Sequence, residues 1–259
     1  MRRVLALAYG TFCYFAFFGT FLYAIGFLAD EVVPKTIDSG TAGPAGTAVL
    51  VDLALLSVFA LQHSVMARPG FKRVWTRIVP KQVERPTYVI ASSAALWLLF
   101  AGWQPIPAVV WQVQGFGGVT LSMFFFLGIA TVLYATFLID HFDLFGLRQV
   151  WLYFRGQPYT EKRFATPSLY RHIRHPLYVG WFMTFWFAPV MTLGHMLFAA
   201  VASAYILVAV IFEERDLLAM LGEDYRRWRE RTPAFVPRFG ARRKSLVAGV
   251  ARRTASQES

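Results

Sequence analysis

Long apolar runs are the feature of this sequence that most constrains its fold. They extend over residues 4–29, 45–67, 88–103, 117–139, 176–190 and 195–212. A helix needs roughly 20 mainly apolar residues to cross the hydrocarbon core of a bilayer, and the first four runs are of that order, the third being the shortest. With 56% apolar and 17% aromatic residues, the 259-residue chain is too hydrophobic for a soluble domain. The sequence therefore predicts an all-α integral membrane protein.

The last two apolar runs predict a helical hairpin, because only residues 191–194 separate them. We predict six membrane segments, or five if this hairpin enters the membrane only partway. The connections are short except for 140–175, so residues 1–240 form one predicted domain. Four spans fall within residues 1–139, and residues 140–240 form the second half of the domain.

Basic residues lie on alternate connections between these runs. The amino end, the loops 68–87 and 140–175, and the chain from Glu213 onward contain 25 of the 26 Lys and Arg residues, whereas the connections 104–116 and 191–194 contain none. Cytosolic connections of membrane proteins are enriched in Lys and Arg. We therefore predict that both termini and both basic loops are cytosolic. This alternation explains the net charge of +11 without nucleic-acid binding.

The start of the fifth apolar run has an unusual density of cationic side chains. Arg171, His172, Arg174 and His175 all precede Pro176, which opens the run. The first amides of a helix are unpaired and the helix dipole is positive there, so this position favours anions. Most such clusters are positive-inside anchors. The alternative is a polar ligand site at the membrane face.

Two adjacent carboxylates, Glu213 and Glu214, end the last apolar run at the same predicted face. The helix dipole disfavours negative charge at that end, so cations should offset it. We predict ion pairs with Arg171 and Arg174 from the other arm of the hairpin. The pairs would suit a structural clamp. They would equally suit a nucleoside ligand, which needs carboxylates for ribose hydroxyls, cations or helix amides for a carboxylate, and aromatic rings for the base.

The carboxy-terminal region has two further segments. Residues 221–228 alternate in charge and contain aromatic anchors, which predicts an amphipathic helix along the membrane surface. Residues 241–259 are rich in Arg, Ser and Ala, and we predict a disordered tail that is attracted to anionic lipid.

The second half resembles the isoprenylcysteine carboxyl methyltransferases. The matching elements are, in order, Tyr170-x4-His175-Pro176-x-Tyr178-x-Gly180, Glu213-Glu214, Gly222-x2-Tyr225 and Pro233. The resemblance implies that residues 140–240 bind S-adenosylmethionine, and that superfamily also contains nurim-like proteins without shown transferase activity. Together with the charge argument for Arg171, it makes the following residues candidates for the cofactor site: Tyr170, Arg171, Arg174, His175, Tyr178, Glu213 and Glu214.

The first half narrows this resemblance. Residues 33–40, 61–68 and 138–149 resemble the methanethiol S-methyltransferases of bacteria, which convert methanethiol to dimethyl sulfide. The resemblance implies a small thiol as the acceptor and the bacterial cytoplasmic membrane as the location, with no nucleic acid and no obligatory protein partner. A larger acceptor, such as an isoprenylcysteine carboxylate or a lipid, and a non-catalytic nurim-like protein remain as alternatives.

Four polar residues near predicted cytosolic helix ends are candidates for catalysis. His63 lies near the cytosolic end of the second run, and Asp140, His141 and Arg148 follow the fourth. A lone histidine at such a position is more often structural, but several ionisable groups at one membrane face are harder to explain by packing. We predict His63 or His141 as the proton acceptor, with Asp140 orienting it and Arg148 or Arg174 favouring a thiolate.

The sequence does not favour a metal site or a transport function. The single cysteine, Cys13, lies in an apolar run, so neither an intrachain disulfide nor a zinc–thiolate site is expected. His63, His141 and the nearby aspartates match no known metal-binding spacing. A channel or transporter would place polar groups through the membrane, whereas these gather at one face.

Overall fold

The computed structural model describes residues 1–160 and 165–237, and most of them are helical. The predicted disordered tail 241–259 lies outside the described residues. The helices are α1 (Arg2–Ala29), α2 (Ala45–Ala67), α3 (Pro69–Trp75), α4 (Lys81–Gly102), α5 (Gly115–Ile139), α6 (His141–Leu144), α7 (Leu147–Phe154), α8 (Pro176–Trp186), α9 (Leu193–Leu221) and α10 (Glu223–Arg231).

Four helices, α1, α2, α5 and α9, are long and apolar enough to cross a membrane. Together with the high helix content, they confirm the predicted all-α membrane protein. The third run becomes α4, which begins at Lys81, before the apolar part, so its first turns carry Glu84 and Arg85. This early start brings charged side chains of the 68–87 loop onto a helix that also enters the core.

The fifth run differs from the predicted span. Its helix α8 contains 11 residues, which at about 1.5 Å per residue reaches only part of a hydrocarbon core of about 30 Å. The prediction of a continuous apolar helix to residue 190 was wrong from Phe187 onward. Pro189 explains the ending, because proline lacks an amide donor and disfavours helical geometry in the residue before it. Of the two arms of the predicted hairpin, α9 is long and apolar enough to cross a membrane and α8 is not.

Two short strands were not predicted. β1 (Val109–Gln112) pairs in antiparallel fashion with β2 (Val190–Thr192), so the two uncharged connections meet in a small sheet. The Val113 amide donates to the Pro189 carbonyl, 2.9 Å away, and extends the pairing. The sheet fixes the end of α8 and the start of α9 at the face opposite the basic loops.

Helix α8 lies very close to α5 because two glycines face each other. A Cβ atom on Gly180 would lie 2.7 Å from the Gly128 carbonyl oxygen, and one on Gly128 would lie 2.7 Å from the Gly180 carbonyl oxygen. Small residues of this kind allow membrane helices to approach closely. Gly180, part of the motif at 170–180, is therefore a packing residue.

Aromatic side chains fill the core among α1, α4 and α9. The ring centroids of Phe27 and Phe100 are 4.9 Å apart, and those of Trp103 and Phe198 are 5.7 Å apart. Phe27 and Trp103 are almost completely buried. This packing holds α9 in place, and α9 carries Glu213 and Glu214 at its far end.

Candidate active site

Glu214 is the centre of a cluster of cations. Its Oε1 accepts from Nε of Arg174 at 2.7 Å and lies 3.0 Å from Nε2 of His175, and its Oε2 lies 3.1 Å from Nε of Arg229. The predicted ion pair between the two arms of the hairpin is therefore confirmed for Arg174 and Glu214. Glu214 is buried, so the ion pairs offset the cost of removing its charge from water.

The chain after α10 completes this cluster through its backbone. The amides of Arg174 and His175 donate to the carbonyls of Pro233 and Ala234 at 2.9 and 3.0 Å. Nη1 of Arg174 also donates to the Thr232 carbonyl. These bonds satisfy amides that precede the first turn of α8, which would otherwise lack partners. The start of α8, the end of α9 and residues 232–234 are thus joined at one point.

Glu213 faces a different set of groups. Its Oε2 accepts a hydrogen bond of 2.8 Å from the Tyr178 hydroxyl. Burial, and to a lesser extent the negative charge of Glu213, raises the pKa of Tyr170. Successive helical residues point about 100° apart, so the adjacent carboxylates separate: Glu214 binds cations, and Glu213 lies among phenols.

Polar groups continue from Glu213 toward α2 and α4. Tyr205 and Tyr88 lie in the neighbourhood of Tyr178, although no hydrogen bond or ring contact between described residues joins either of them to it. The Tyr205 hydroxyl lies 3.0 Å from Oγ of Ser64, and the Tyr88 hydroxyl lies 2.9 Å from Nε2 of His63. Tyr178, Tyr205 and Tyr88, which we call the tyrosine set, thus lie between Glu213 and His63.

Arg85 connects this set with the chain after α5. Its guanidinium carbon lies 5.0 Å from the centre of the Tyr88 ring, and its Nε donates to the Leu144 carbonyl at 2.7 Å. The positive charge of Arg85 is also close enough to His63 to interact electrostatically with its ring. Arg85 was not a sequence-level candidate, because it counted as one of several basic residues of an orienting loop.

His141 has a separate environment. Its Nε2 lies 2.9 Å from the Tyr14 hydroxyl and its Nδ1 lies 2.8 Å from Oγ1 of Thr136, while Phe137 stacks on the ring at 4.2 Å. Burial lowers the pKa of His141, although Asp140 partly opposes this effect. The described hydrogen bonds of the His141 ring go to hydroxyls, and none of them joins it to the Asp140 carboxylate.

Asp140, Asp143 and Arg148 organise the loop after α5. Oδ1 of Asp140 accepts from the Asp143 amide at 3.2 Å and caps α6. Asp143 pairs with Nη1 of Arg148 at 3.4 Å and accepts from the Tyr159 hydroxyl at 3.0 Å. The sequence placed this group and His63 at one membrane face. Across residues 1–160 and 165–237, however, no hydrogen bond or ring contact joins the group to His63. Arg85 provides an indirect connection through the Tyr88 ring and the Leu144 carbonyl.

Arg171 and a metal site were also considered from the sequence. Arg171 is exposed at the end of a short 3-10 turn, and none of the ion pairs between described residues includes it. Within the described ranges, no group of three or more His, Cys, Asp or Glu residues could hold a metal ion.

Sequence reasoning missed four residues of this region: Arg85, Tyr88, Tyr205 and Arg229. Tyr88 and Tyr205 lie in runs that were interpreted as apolar spans, Arg85 lies in a basic loop, and Arg229 comes directly after the predicted surface helix 221–228. A usable signal existed for Tyr88, because a tyrosine at the start of an apolar run is amphipathic and needs a partner for its hydroxyl when it is buried.

Comparison with known proteins identifies the family. A methanethiol S-methyltransferase from Mycobacterium tuberculosis is 55% identical over 238 residues, which cover 92% of this chain and 98% of the relative. The chain belongs to the methanethiol S-methyltransferase family. A second member, from Crocosphaera subtropica, is 50% identical over 241 residues, which cover 93% of this chain and 94% of that protein. Membership makes the chain a methyltransferase, and its apolar helices make it an integral membrane protein.

More distant similarity extends to the nurim proteins. Nurim from Sus scrofa is 29% identical over 224 residues, which cover 82% of this chain and 85% of that protein. This similarity supports the wider nurim-like superfamily. No family model matches the chain, and no solved structure does.

Proposed function

We propose that this enzyme transfers a methyl group from S-adenosylmethionine to the sulfur of methanethiol and releases dimethyl sulfide. We infer the acceptor from the methanethiol S-methyltransferases that are 50–55% identical to this chain over most of its length. The observation that carries the site is the placement of Glu213 beside Tyr178 and Tyr170, next to the tyrosines that reach His63.

The residues around Glu213 fit the methyl donor. A carboxylate offers about four acceptor positions, so Glu213 can bind ribose hydroxyls in addition to the Tyr178 hydroxyl. Tyr170 and Tyr178 supply aromatic faces for the base, and Arg174 with the first amides of α8 favours the donor's carboxylate. When it is bound, S-adenosylmethionine supplies an electrophilic methyl group on a sulfonium centre.

Glu214 has a supporting role in this proposal. It holds Arg174 and His175 at the start of α8 and ties them to α10 through Arg229. The clamp and the ligand site, which the sequence left as alternatives, are therefore assigned to different carboxylates. Arg171 stays a prediction only, since its exposed side chain adds no described contact to the proposal.

His63 is the proposed proton acceptor. A free thiol near neutral pH is mostly protonated, and the thiolate is the nucleophile. His63 lies beside Tyr88 on the tyrosine set, whereas both ring nitrogens of His141 lie within 2.9 Å of hydroxyls on helices α1 and α5. We therefore give His141 and Asp140 positioning roles in the loop after α5. The thiol proton moves to the His63 ring and from there to solvent.

Arg85 is the proposed source of positive charge for the thiolate. Arg174 is bound to Glu214, and Arg148 is bound to Asp143, so neither guanidinium is directed at the His63 region. Arg85 lies over the Tyr88 ring, one contact from His63. A cation near a thiol lowers the cost of ionising it.

Alignment supplies the rest of the rate enhancement in this proposal. An in-line displacement needs the thiolate sulfur, the methyl carbon and the leaving sulfur on one axis. Holding two reactants in such a geometry is worth roughly 7–11 kcal/mol in favourable systems. The close contact of α8 with α5 at Gly180 and Gly128 gives the site a rigid wall. The alternation of basic connections supports a site at the cytosolic face.

Purified protein with labelled S-adenosylmethionine tests the proposal. We expect methylation of methanethiol to exceed that of a longer thiol and of an isoprenylcysteine. Label in the isoprenylcysteine or in lipid would favour the larger-acceptor alternative. Absence of both turnover and thermal stabilisation by S-adenosylmethionine would favour a non-catalytic nurim-like protein.

A further inference from the structure

A large cavity lies apart from the Glu213 region. It has a volume of about 930 Å³ and opens between the start of α4 and the chain from the end of α5 to residue 159. Neither His63, Tyr178 nor Glu213 is among the described residues that line it. Of the residues with a role in the proposed methyl transfer, Arg85 and Asp140 reach the cavity wall, so that site accounts for only part of the lining.

Four cationic side chains and three carboxylates are among the described residues of the cavity wall. Arg3, Lys72, Lys81 and Arg85 contribute their side chains from three different helices. All three carboxylates have partners within the protein: Asp143 pairs with Arg148, Glu84 lies 3.9 Å from Nζ of Lys72, and Asp140 accepts from the Asp143 amide. Burial lowers the pKa of Lys72, and the charge of Arg85 adds to this effect while Glu84 opposes it. An anion in the cavity would relieve the repulsion among these cations.

The segments that form the cavity also expose large apolar side chains. On the side of α3, Val74 is 59% exposed and Ile78 is 78% exposed. On the opposite side Ile139, Phe142 and Trp151 are each 50% exposed, and Ile139 itself lines the cavity. Side chains of this kind next to basic residues are typical of a membrane interface.

We propose that this cavity binds the head group of an anionic phospholipid. The phosphate would lie against Lys72 and Lys81, and the acyl chains would pass Ile139 toward the hydrocarbon core. Basic pockets between membrane helices at the positively charged face bind acidic head groups. A small free anion would bind the cations but would make no contact with the exposed apolar side chains around the cavity.

The test compares lipids on the purified full-length protein. We expect phosphatidylglycerol to raise the thermal midpoint more than phosphatidylcholine does, and native mass spectrometry to show retained phosphatidylglycerol. In a Lys72→Gln/Lys81→Gln variant, the phosphatidylglycerol-dependent shift should fall by more than half. The matched control is Arg226→Gln/Arg227→Gln, which removes the same charge from the exposed face of α10 and should keep the full shift.

Three results would overturn the proposal. An equal loss of the shift in the control variant would mean diffuse attraction to a basic surface. Equal stabilisation of the wild type by glycerol phosphate would mean an anion site without a lipid. Should the double variant fail to fold, retained lipid and an unchanged shift in both the Lys81→Gln and the Lys72→Gln single variants would place the head group outside this cavity.

Discussion

At the scale of single residues, Glu213 and Glu214 are neighbours with different surroundings. Glu214→Gln removes the charge that holds Arg174 and Arg229, so we expect a loss of about 2 kcal/mol in unfolding free energy. Glu213→Gln keeps the clamp, so it should leave stability unchanged and weaken binding of S-adenosylmethionine. Thermal unfolding and calorimetric titration measure the two effects. Equal loss of affinity with unchanged stability in both variants would contradict this division.

His63 provides a kinetic prediction. His63→Ala should lower kcat by roughly a hundredfold or more, because it removes the proposed general base. Affinity for S-adenosylmethionine should stay nearly the same. Raising the pH should reduce the difference in kcat between the variant and the wild type, because more of the thiol is then ionised without a base. His172→Ala, at an exposed histidine, is the control. A His63 variant that loses only cofactor binding would refute its role as a base.

His141 provides a prediction about pH. Burial lowers its pKa in the folded protein, whereas in the unfolded chain the pKa is about 6.5. The folded state therefore binds fewer protons, and stability from this residue is present above about pH 6.5 and is lost as the pH falls below it. Thermal midpoints at pH 7.5 and 5.5 should differ less in His141→Gln than in the wild type. An identical pH dependence in both would contradict the assignment.

At the scale of helices, the contact between α5 and α8 depends on the absence of side chains at Gly128 and Gly180. Gly180→Ala would place a methyl group 2.7 Å from the Gly128 carbonyl oxygen, so we expect a loss of about 1–3 kcal/mol and reduced activity. Gly19→Ala is the control, since a Cβ atom there meets nothing within 4 Å. Thermal unfolding compares the two. A stabilised Gly180→Ala variant would mean that the helices are not in close contact.

The sequence predicted helices well where hydrophobicity alone decides them. The spans of α1, α2 and α5 follow from their apolar runs, and the pairing of Arg174 with Glu214 follows from charge at one predicted face. The end of α8 depends on Pro189 and on pairing with residues 109–112, which are distant in sequence. The motif at 170–180 pointed to Tyr178, but nothing in the sequence reveals its proximity to Tyr88 and Tyr205, which arises only when α4, α8 and α9 pack together.

At the scale of the whole molecule, the distribution of basic connections predicts the orientation. Thr41, in the outer loop, and Arg226, on α10, are exposed, and the native Cys13 is fully buried. We expect a membrane-impermeant thiol reagent to label Thr41→Cys on intact cells and to label Arg226→Cys only after the membrane is opened. The reverse pattern would invert the topology and place the Glu213 region outside.

The hydrogen bonds from residues 232–234 to Arg174 and His175 have a consequence for biosynthesis. These residues leave the ribosome after all ten helices of the described chain, at about 5–20 residues per second. The helices before them can enter the membrane first, while the two arms of the hairpin still lack their closing contacts. A nascent chain therefore stays without the contacts that join the start of α8 to the chain after α10 until residue 234 has been added.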